Sequence, residues 1–183
     1  KELFRLIDTE IRHARKKKNH AGITLKMNSL SDEALIGKLY QAARAGVVVK
    51  LINRGICCIL TEHPRFKQPI TAISIVDEYL EHARVWVFNN KGKPKVYISS
   101  ADWMVRNLDH RVEVTCPVWD EKLKQELIDI LDIQLRDNIK ARWLDNRLSN
   151  EYVRSSRKKV RSQVDTYQYL LNKIKTDLET GSH

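Results

Sequence analysis

No stretch of about eighteen consecutive apolar residues occurs in the chain, so no membrane-spanning helix is expected. Nor does it open with a basic segment followed by an apolar one, the mark of a secretory signal. Lys1 stands where an initiator methionine would, so the chain is read as part of a longer protein. Cysteine is scarce: Cys57, Cys58 and Cys116 are the three, and no Cys-x-x-Cys pair occurs. The usual zinc and dithiol motifs are therefore without support. An odd thiol count without a signal implies reduced cytosolic cysteines. They are expected to be buried as small apolar side chains, with Cys57 and Cys58 facing opposite sides of a strand. Internal repeats and low-complexity tracts are absent. Acidic residues are outnumbered by basic ones, 23 against 33, a formal net charge of +10. That surplus points to a polyanionic partner: nucleic acid, anionic lipid, nucleotide or another phosphate polymer. Charge alone does not choose among them, and the basic runs at 12–18 and 154–161 also suit a solvated surface.

With 183 residues and 42% apolar content, one cored domain, or one domain with an appendage, is expected. Leu3, Leu6, Ile7, Ile11 and Ala14 recur at helical spacing over Glu2 to Lys18, with a basic end that suits the helix dipole. Ala21 to Met27 reads as a strand. A second helix carries Ala34, Leu35, Leu39, Ala42 and Ala43 on one face, with Ser29 or Ser31 as N-cap and Gly46 as its left-handed stop. Val47 to Ile52 then reads as a strand, so residues 21–52 form a strand–helix–strand unit with a right-handed parallel crossover. Strand patterns follow at Ile70–Val76, Val85–Phe88, Val96–Ser99 and Val112–Val118. The turn sequence NNKGKP between the second and third predicts an antiparallel hairpin. A helix is expected over Lys122–Ile139, capped by Asp120, with Leu123, Leu127, Ile130, Leu131 and Leu135 inward. A last helix spans Val160–Leu178, with Tyr167, Leu170, Leu171 and Ile174 along one side. Residues 140–160 read as a polar, basic, extended crossing segment. The alternation implies an α/β class with a mixed sheet. We divide the chain into an α/β domain at 1–145 and a basic segment with a C-terminal helix at 146–183, packed on the same domain.

In open α/β sheets, ligands gather outside the carboxyl ends of the strands. Those ends deliver Lys26, Met27 and Asn28; then Asn53, Arg54 and Gly55; then Ser99, Ser100, Asp102 and Arg106; and His110 and Arg111 enter the last strand. Clustered basic and hydroxyl groups suit phosphate binding better than acyl transfer or metal-assisted hydrolysis. Arg54 can grip a phosphate with two N–H groups, and Gly55 lets the backbone approach closely or adopt positive φ. His82 and Arg84 are expected to share a face if the segment is extended. A neutral imidazole there could attack phosphorus or accept a proton while a guanidinium stabilises phosphoryl oxygens. Taken alone, His-x-Arg is more often a solvated pair, and Arg54–Gly55 more often a strand end and a turn.

The spacing His82-x-Arg84-x4-Asn89, followed by YISSADW, resembles the phospholipase D superfamily pattern, with Arg84 in place of the family's lysine and Asn89 in place of its aspartate. The departure speaks against an ordinary phosphodiesterase. A closer resemblance is to the C-terminal part of the bacterial histidine-dependent polyphosphate kinases. LKMNSLSDEALIGKLYQAARAGV, RGICC, VDEYLEHARV, VYISSADWMVRNLDHRVEV and LSNEYVRSSRKKVRSQ carry it along essentially the whole chain. The resemblance implies a phospholipase D-like α/β fold with a mixed sheet flanked by helices and a C-terminal helical tail. It implies the second of two facing halves of an enzyme that moves the terminal phosphate of ATP reversibly to inorganic polyphosphate. The phosphorylated histidine would lie in the preceding half. His82 matches the second active-site histidine, a general acid or base, and Arg54 and Arg111 match basic residues at the phosphate site. Ser99, Ser100, Asp102 and Arg106 lie in the motif, Arg84 stands in the lysine position, and Lys26 and Asn28 sit at a comparable strand end. Mg²⁺ is implied with ATP, and no metal-ligating cluster stands out in the chain. The implied partners are ATP or ADP, polyphosphate and the N-terminal half of the same polypeptide, with no specific nucleic acid. A homo-oligomeric full-length enzyme is implied, cytoplasmic and peripherally associated with the inner membrane.

Two other readings compete. One is a phospholipase D-like nuclease or phosphodiesterase half, against which Arg84 and Asn89 argue. The other is a non-catalytic polyanion-binding module.

Overall fold

The computed structural model describes residues 2–16 and 21–180. Its frame is a seven-stranded sheet, made of β1 (Gly22–Met27), β2 (Val48–Asn53), β3 (Thr71–Ile75), β4 (Val85–Phe88), β5 (Lys95–Ser99), β6 (Thr115–Val118) and β7 (Ala141–Trp143). Their order across the sheet is β6-β5-β4-β1-β2-β3-β7. β1, β2 and β3 run parallel, and the other neighbours pair antiparallel, so the sheet is mixed as expected.

Alternation along the strands builds two cores. Ile23, Leu25 and Met27 of β1, Val49 and Leu51 of β2, and Trp86 and Phe88 of β4 face one side, where α1 (Glu2–Arg15) and α2 (Glu33–Ala45) cover them with Leu6, Ile7, Ile11, Leu35 and Leu39. Ile52, Ile73, Ile75, Val85, Val87 and Val96 face the other side, under Leu131 of α4 (Glu121–Leu135). At roughly 25 cal/mol per Å² of apolar surface, such two-sided burial is the main term holding the layers together. The final helix, α5 (Ser162–Thr180), packs against α4. A short helix, α3 (Val105–His110), precedes β6.

Several local expectations hold. Gly46 ends α2 at φ 96°, and the Asp120 side chain accepts the Leu123 N–H at the start of α4. The β4–β5 hairpin forms, with a short 3₁₀ turn at Asn90–Gly92.

Others are corrected. The cap of α2 is Asp32, whose carboxylate accepts the Leu35 N–H at 2.8 Å, not Ser29 or Ser31. Those two serines are tied to Trp103 by backbone bonds instead. Cys57 is half-buried and Cys58 exposed, because they lie in a loop beyond β2 rather than in a strand, and Cys116 is exposed on the edge strand β6. The segment 140–160 holds an edge strand, β7, whose three residues are too few to show a period. Leu123 of α4 is 54% exposed. On α5, Tyr167, Leu171 and Ile174 are exposed, whereas Leu170 is half-buried towards α4. The basic end expected for α1 includes Lys17 and Lys18, which lie outside the described residues.

Candidate active site

Register brings the sequence candidates to one edge of the sheet. Lys26 of β1 pairs with Ile52 of β2 and with Val85, the first residue of β4. Val85 pairs with Ile98, and Ser99 pairs with Thr115. The carboxyl ends of β1, β2, β3 and β5 therefore share an edge with the entries to β4 and β6, and His82, Arg84 and Arg111 sit on those entries. Asn89 follows β4 at the opposite edge, where its N–H donates to the Gly22 carbonyl at 2.9 Å.

Three loops at this edge are tied into one unit. Beyond β1, Leu30 bridges both Cys57 and Trp103. Gly55 N–H donates to the Asn28 carbonyl at 2.8 Å, and a Cβ on Gly55 would stand 2.7 Å from that same oxygen. The glycine thus serves a close approach of two backbones, not a positive φ. Asp102, buried behind them, accepts from the Asn28 N–H at 2.7 Å, the Ser29 N–H at 3.2 Å, and Arg84 Nε and Nη2 at 3.2 and 3.1 Å. Burial opposes its charge, yet the Arg84 fork and the two backbone donors hold its carboxyl below the ordinary range.

His82 is exposed on the segment between β3 and β4. The guanidinium beside its ring belongs to Arg54, with Nη2 3.5 Å from Nδ1. Arg84 turns away to Asp102, and its Nη1 donates to the His82 carbonyl at 2.9 Å. The shared face expected for 82 and 84 fails because residues 81–84 precede the strand, where strict alternation does not apply. Arg54 is itself braced: Nε donates to Asn28 Oδ1 and to the Glu81 carbonyl, each at 2.7 Å. The Asn28 side chain is buried, and its Nδ2 has no hydrogen-bond partner among the described residues. Lys26 points behind this group to an ion pair with Glu81 and a 3.0 Å bond to Gln134 Oε1. Burial pushes its ammonium below the ordinary range, and Glu81 only partly offsets that. Its contacts are to protein groups under α4, so it buttresses the site from within.

The hydroxyls are also engaged internally. Ser99 Oγ lies 2.8 Å from Thr115 Oγ1, and Ser100 Oγ donates to Glu113. Asn107 Nδ2 donates to the other Glu113 oxygen at 2.6 Å. Those two bonds, with Arg111 and Arg84 nearby, hold the Glu113 carboxyl below its ordinary range. Arg111 and Arg106 are exposed, and Arg106 sits on α3. Sequence reasoning missed Glu81, Gln134 and Glu113. Only Glu81 carried a signal, as an acid next to the histidine. Among the described residues, no group of three or more His, Cys, Asp or Glu side chains could hold a metal ion. Asp102, Glu81 and Glu113 are each already satisfied by protein donors.

Comparison with known proteins identifies the family to which the chain is similar. Residues 1–163 match the family model described as polyphosphate kinase C-terminal domain 2. The chain is 52% identical over 172 residues to a polyphosphate kinase of Vibrio cholerae serotype O1, covering 93% of this chain and 24% of that protein. It is 48% identical over 169 residues to that of Escherichia coli K12, covering 92% and 24%. The crystal structure of polyphosphate kinase from Porphyromonas gingivalis superimposes with a TM-score of 0.91 at 48% identity, over 96% of this chain and 27% of that one. Nuc from Salmonella typhimurium, a phospholipase D family member, shares the fold at 14% identity and a TM-score of 0.54, over 75% of this chain and 89% of its own. The chain therefore spans about a quarter of the length of the kinases it matches.

Proposed function

The chain belongs to the polyphosphate kinase C-terminal domain 2 family, and on that premise we propose that it supplies one side of a phosphoryl-transfer site acting between ATP and inorganic polyphosphate. The observation that carries the reading is the contact between Arg54 and the ring of His82 at the ligand-binding edge of the sheet. The contact sets the guanidinium beside Nδ1 of the exposed ring and leaves the Nε2 edge for substrate. Protonated on both nitrogens, the ring can give its Nε2 proton to a departing phosphate oxygen and become neutral imidazole, and neutral imidazole can take that proton back in the reverse direction. Arg54, fixed through Nε, keeps its outer N–H groups for phosphoryl oxygens, with Arg111 adding charge from the α3–β6 loop. Arg84 acts indirectly, bracing the His82 carbonyl and Asp102.

Phosphoryl transfer is mostly positioning and charge neutralisation, which this arrangement supplies without a nucleophile of its own. The nucleophile in this reading is a histidine in the preceding part of the longer polypeptide: its ring nitrogen takes the terminal phosphoryl group of ATP, releasing ADP, and the phosphohistidine so formed passes that group to a terminal oxygen of polyphosphate. The ATP enters as its Mg²⁺ complex, so the metal arrives with substrate rather than on a resident site. Arg106, Ser99 and Ser100 line the approach rather than the transfer itself. A cytoplasmic, oligomeric enzyme peripheral to the inner membrane belongs to the same proposal. Among the described residues, no helix is long and apolar enough to cross a membrane.

The test is polymer synthesis from ATP by a full-length polyphosphate kinase carrying this domain, with Arg54→Ala and His82→Ala compared with the parent. Each variant is expected to lose synthesis by about a hundredfold or more while remaining folded. Parental rates in the His82→Ala enzyme would remove the assignment.

A further inference from the structure

His82 sits on residues 76–84, which form no regular secondary structure. A reacting ring on such a segment needs its position fixed from elsewhere, since a displacement of about 1 Å can cost a hundredfold in rate. The fixing comes from α5 and the residue before it. Asp77 accepts Nε and Nη2 of Arg161, each at 2.8 Å. The Tyr79 N–H donates to Gln163 Oε1 at 2.9 Å, and the Tyr79 carbonyl accepts from Gln163 Nε2 at 2.8 Å, so one amide side chain does the work of a neighbouring strand. Glu81 Oε1 accepts from Gln163 Nε2 at 3.1 Å, and Glu81 Oε2 accepts from Gln134 Nε2 at 2.9 Å and from Lys26. The grip thus falls on the side chains of Asp77, Glu78 and Glu81 and on the backbone of Tyr79, and His82 stands exposed just beyond it.

The gripping side is itself rigid. Gln163 is 7% exposed and Gln134 5%. The Ser162 N–H donates to Asp137 Oδ2 at 2.7 Å, and Asp137 Oδ1 accepts three further N–H groups, from Ile139, Lys140 and Ala141. The start of α5 is therefore locked to the start of β7, and through Gln163 to the backbone three residues before His82.

We propose that Gln163 is a positioning residue for phosphoryl transfer, setting the height of His82 over Arg54 by holding the Tyr79 backbone and the Glu81 carboxylate. The inference rests on the reading of His82 as the acid–base group. In that arrangement the same Glu81 whose carboxylate Gln163 holds also gives its carbonyl to Arg54, so both members of the His82–Arg54 pair take their position from one clamp.

The test uses Gln163→Leu in a full-length polyphosphate kinase carrying this domain, a change that keeps side-chain bulk and deletes all three bonds. Polymer synthesis is expected to fall about ten- to a hundredfold in kcat, with KM for ATP within about twofold of the parent. In a His82→Ala background the same change is expected to add a clearly smaller loss, because only Arg54 is left to place. Glu81→Gln, which keeps the backbone carbonyl for Arg54, serves as the second variant should Gln163→Leu not fold, with the same kcat loss expected. An unchanged kcat, or an equal further loss with and without His82, overturns the positioning role. Full activity of His82→Ala alone would instead strike the reading beneath it.

Discussion

Asp102 is the joint between the fold and the site, and its removal has a magnitude that follows from its partners. Asp102→Ala leaves the Asn28 and Ser29 N–H groups and the Arg84 fork without their acceptor. An unsatisfied buried donor costs about 1–3 kcal/mol, and breaking a buried ion pair about 3–5 kcal/mol. Arg84 keeps 19% side-chain exposure and regains some hydration, so the lower end applies: about 3 kcal/mol. Asp102→Asn retains one carbonyl oxygen for the backbone donors and loses the charge, so roughly half that loss is expected. Urea denaturation of the parent and both variants, followed by fluorescence, gives the differences directly. A double-mutant cycle with Arg84→Ala should return a coupling of about 1 kcal/mol or more. A loss below about 0.5 kcal/mol for Asp102→Ala, a value ordinary for surface changes, would refute the claim that this carboxylate ties the β1 loop to the histidine segment.

Further outcomes follow from other contacts. Gly55→Ala puts a Cβ 2.7 Å from the Asn28 carbonyl, so it should lower stability by about 1–3 kcal/mol in denaturation and weaken phosphate binding through Asn28 and Arg54. For Asp77, the bonds from Arg161 outweigh burial and hold the carboxyl below its ordinary range. For Asp137, burial opposes the charge, but the Ser162, Lys140 and Ala141 N–H donors outweigh it in the same direction. With Asp102, their contribution is present above the unfolded carboxylate value, near pH 4, and is lost as pH falls through the depressed folded values. Urea midpoints should therefore hold between pH 7 and 5 and drop below pH 4; a flat profile to pH 3 would contradict this. The 183 residues alone should bind polyphosphate weakly and lose it as salt rises, without turning over ATP. Polymer formation by the isolated chain would contradict the shared-site reading.

The strands and helices were legible because two-sided burial writes itself as short apolar runs and helical stripes, as in Ile23-x-Leu25-x-Met27 and Val85–Phe88. The parallel crossover followed from β1–α2–β2, and the hairpin from the turn residues between β4 and β5. Two signals were too short or too local. β7 has three residues, below any readable period, and the choice of Asp32 over Ser29 and Ser31 depends on which loop Trp103 reaches. In the site, the convergence of Lys26, Asn28 and Arg54 on one edge was readable from strand ends, whereas His82 stood out through its spacing to Arg84 and Asn89. Which cation meets the ring was not, because Arg54 and His82 are 28 residues apart and the pairing is set by tertiary contacts. The same holds for Gln163 and Glu81, 82 residues apart. Lys26 illustrates the converse: a lysine at a strand end reads as a ligand group, but alternation turns it under α4, where Glu81 and Gln134 engage it.

The most direct test of the central claim is the rate of polyphosphate synthesis by a full-length polyphosphate kinase in which His82 of this domain is replaced by glutamine. Phosphorylation of the enzyme by ATP is measured in the same preparation. Synthesis is expected to fall by about a hundredfold or more, in a folded protein whose substrates still bind. Synthesis at the parental rate would contradict the claim.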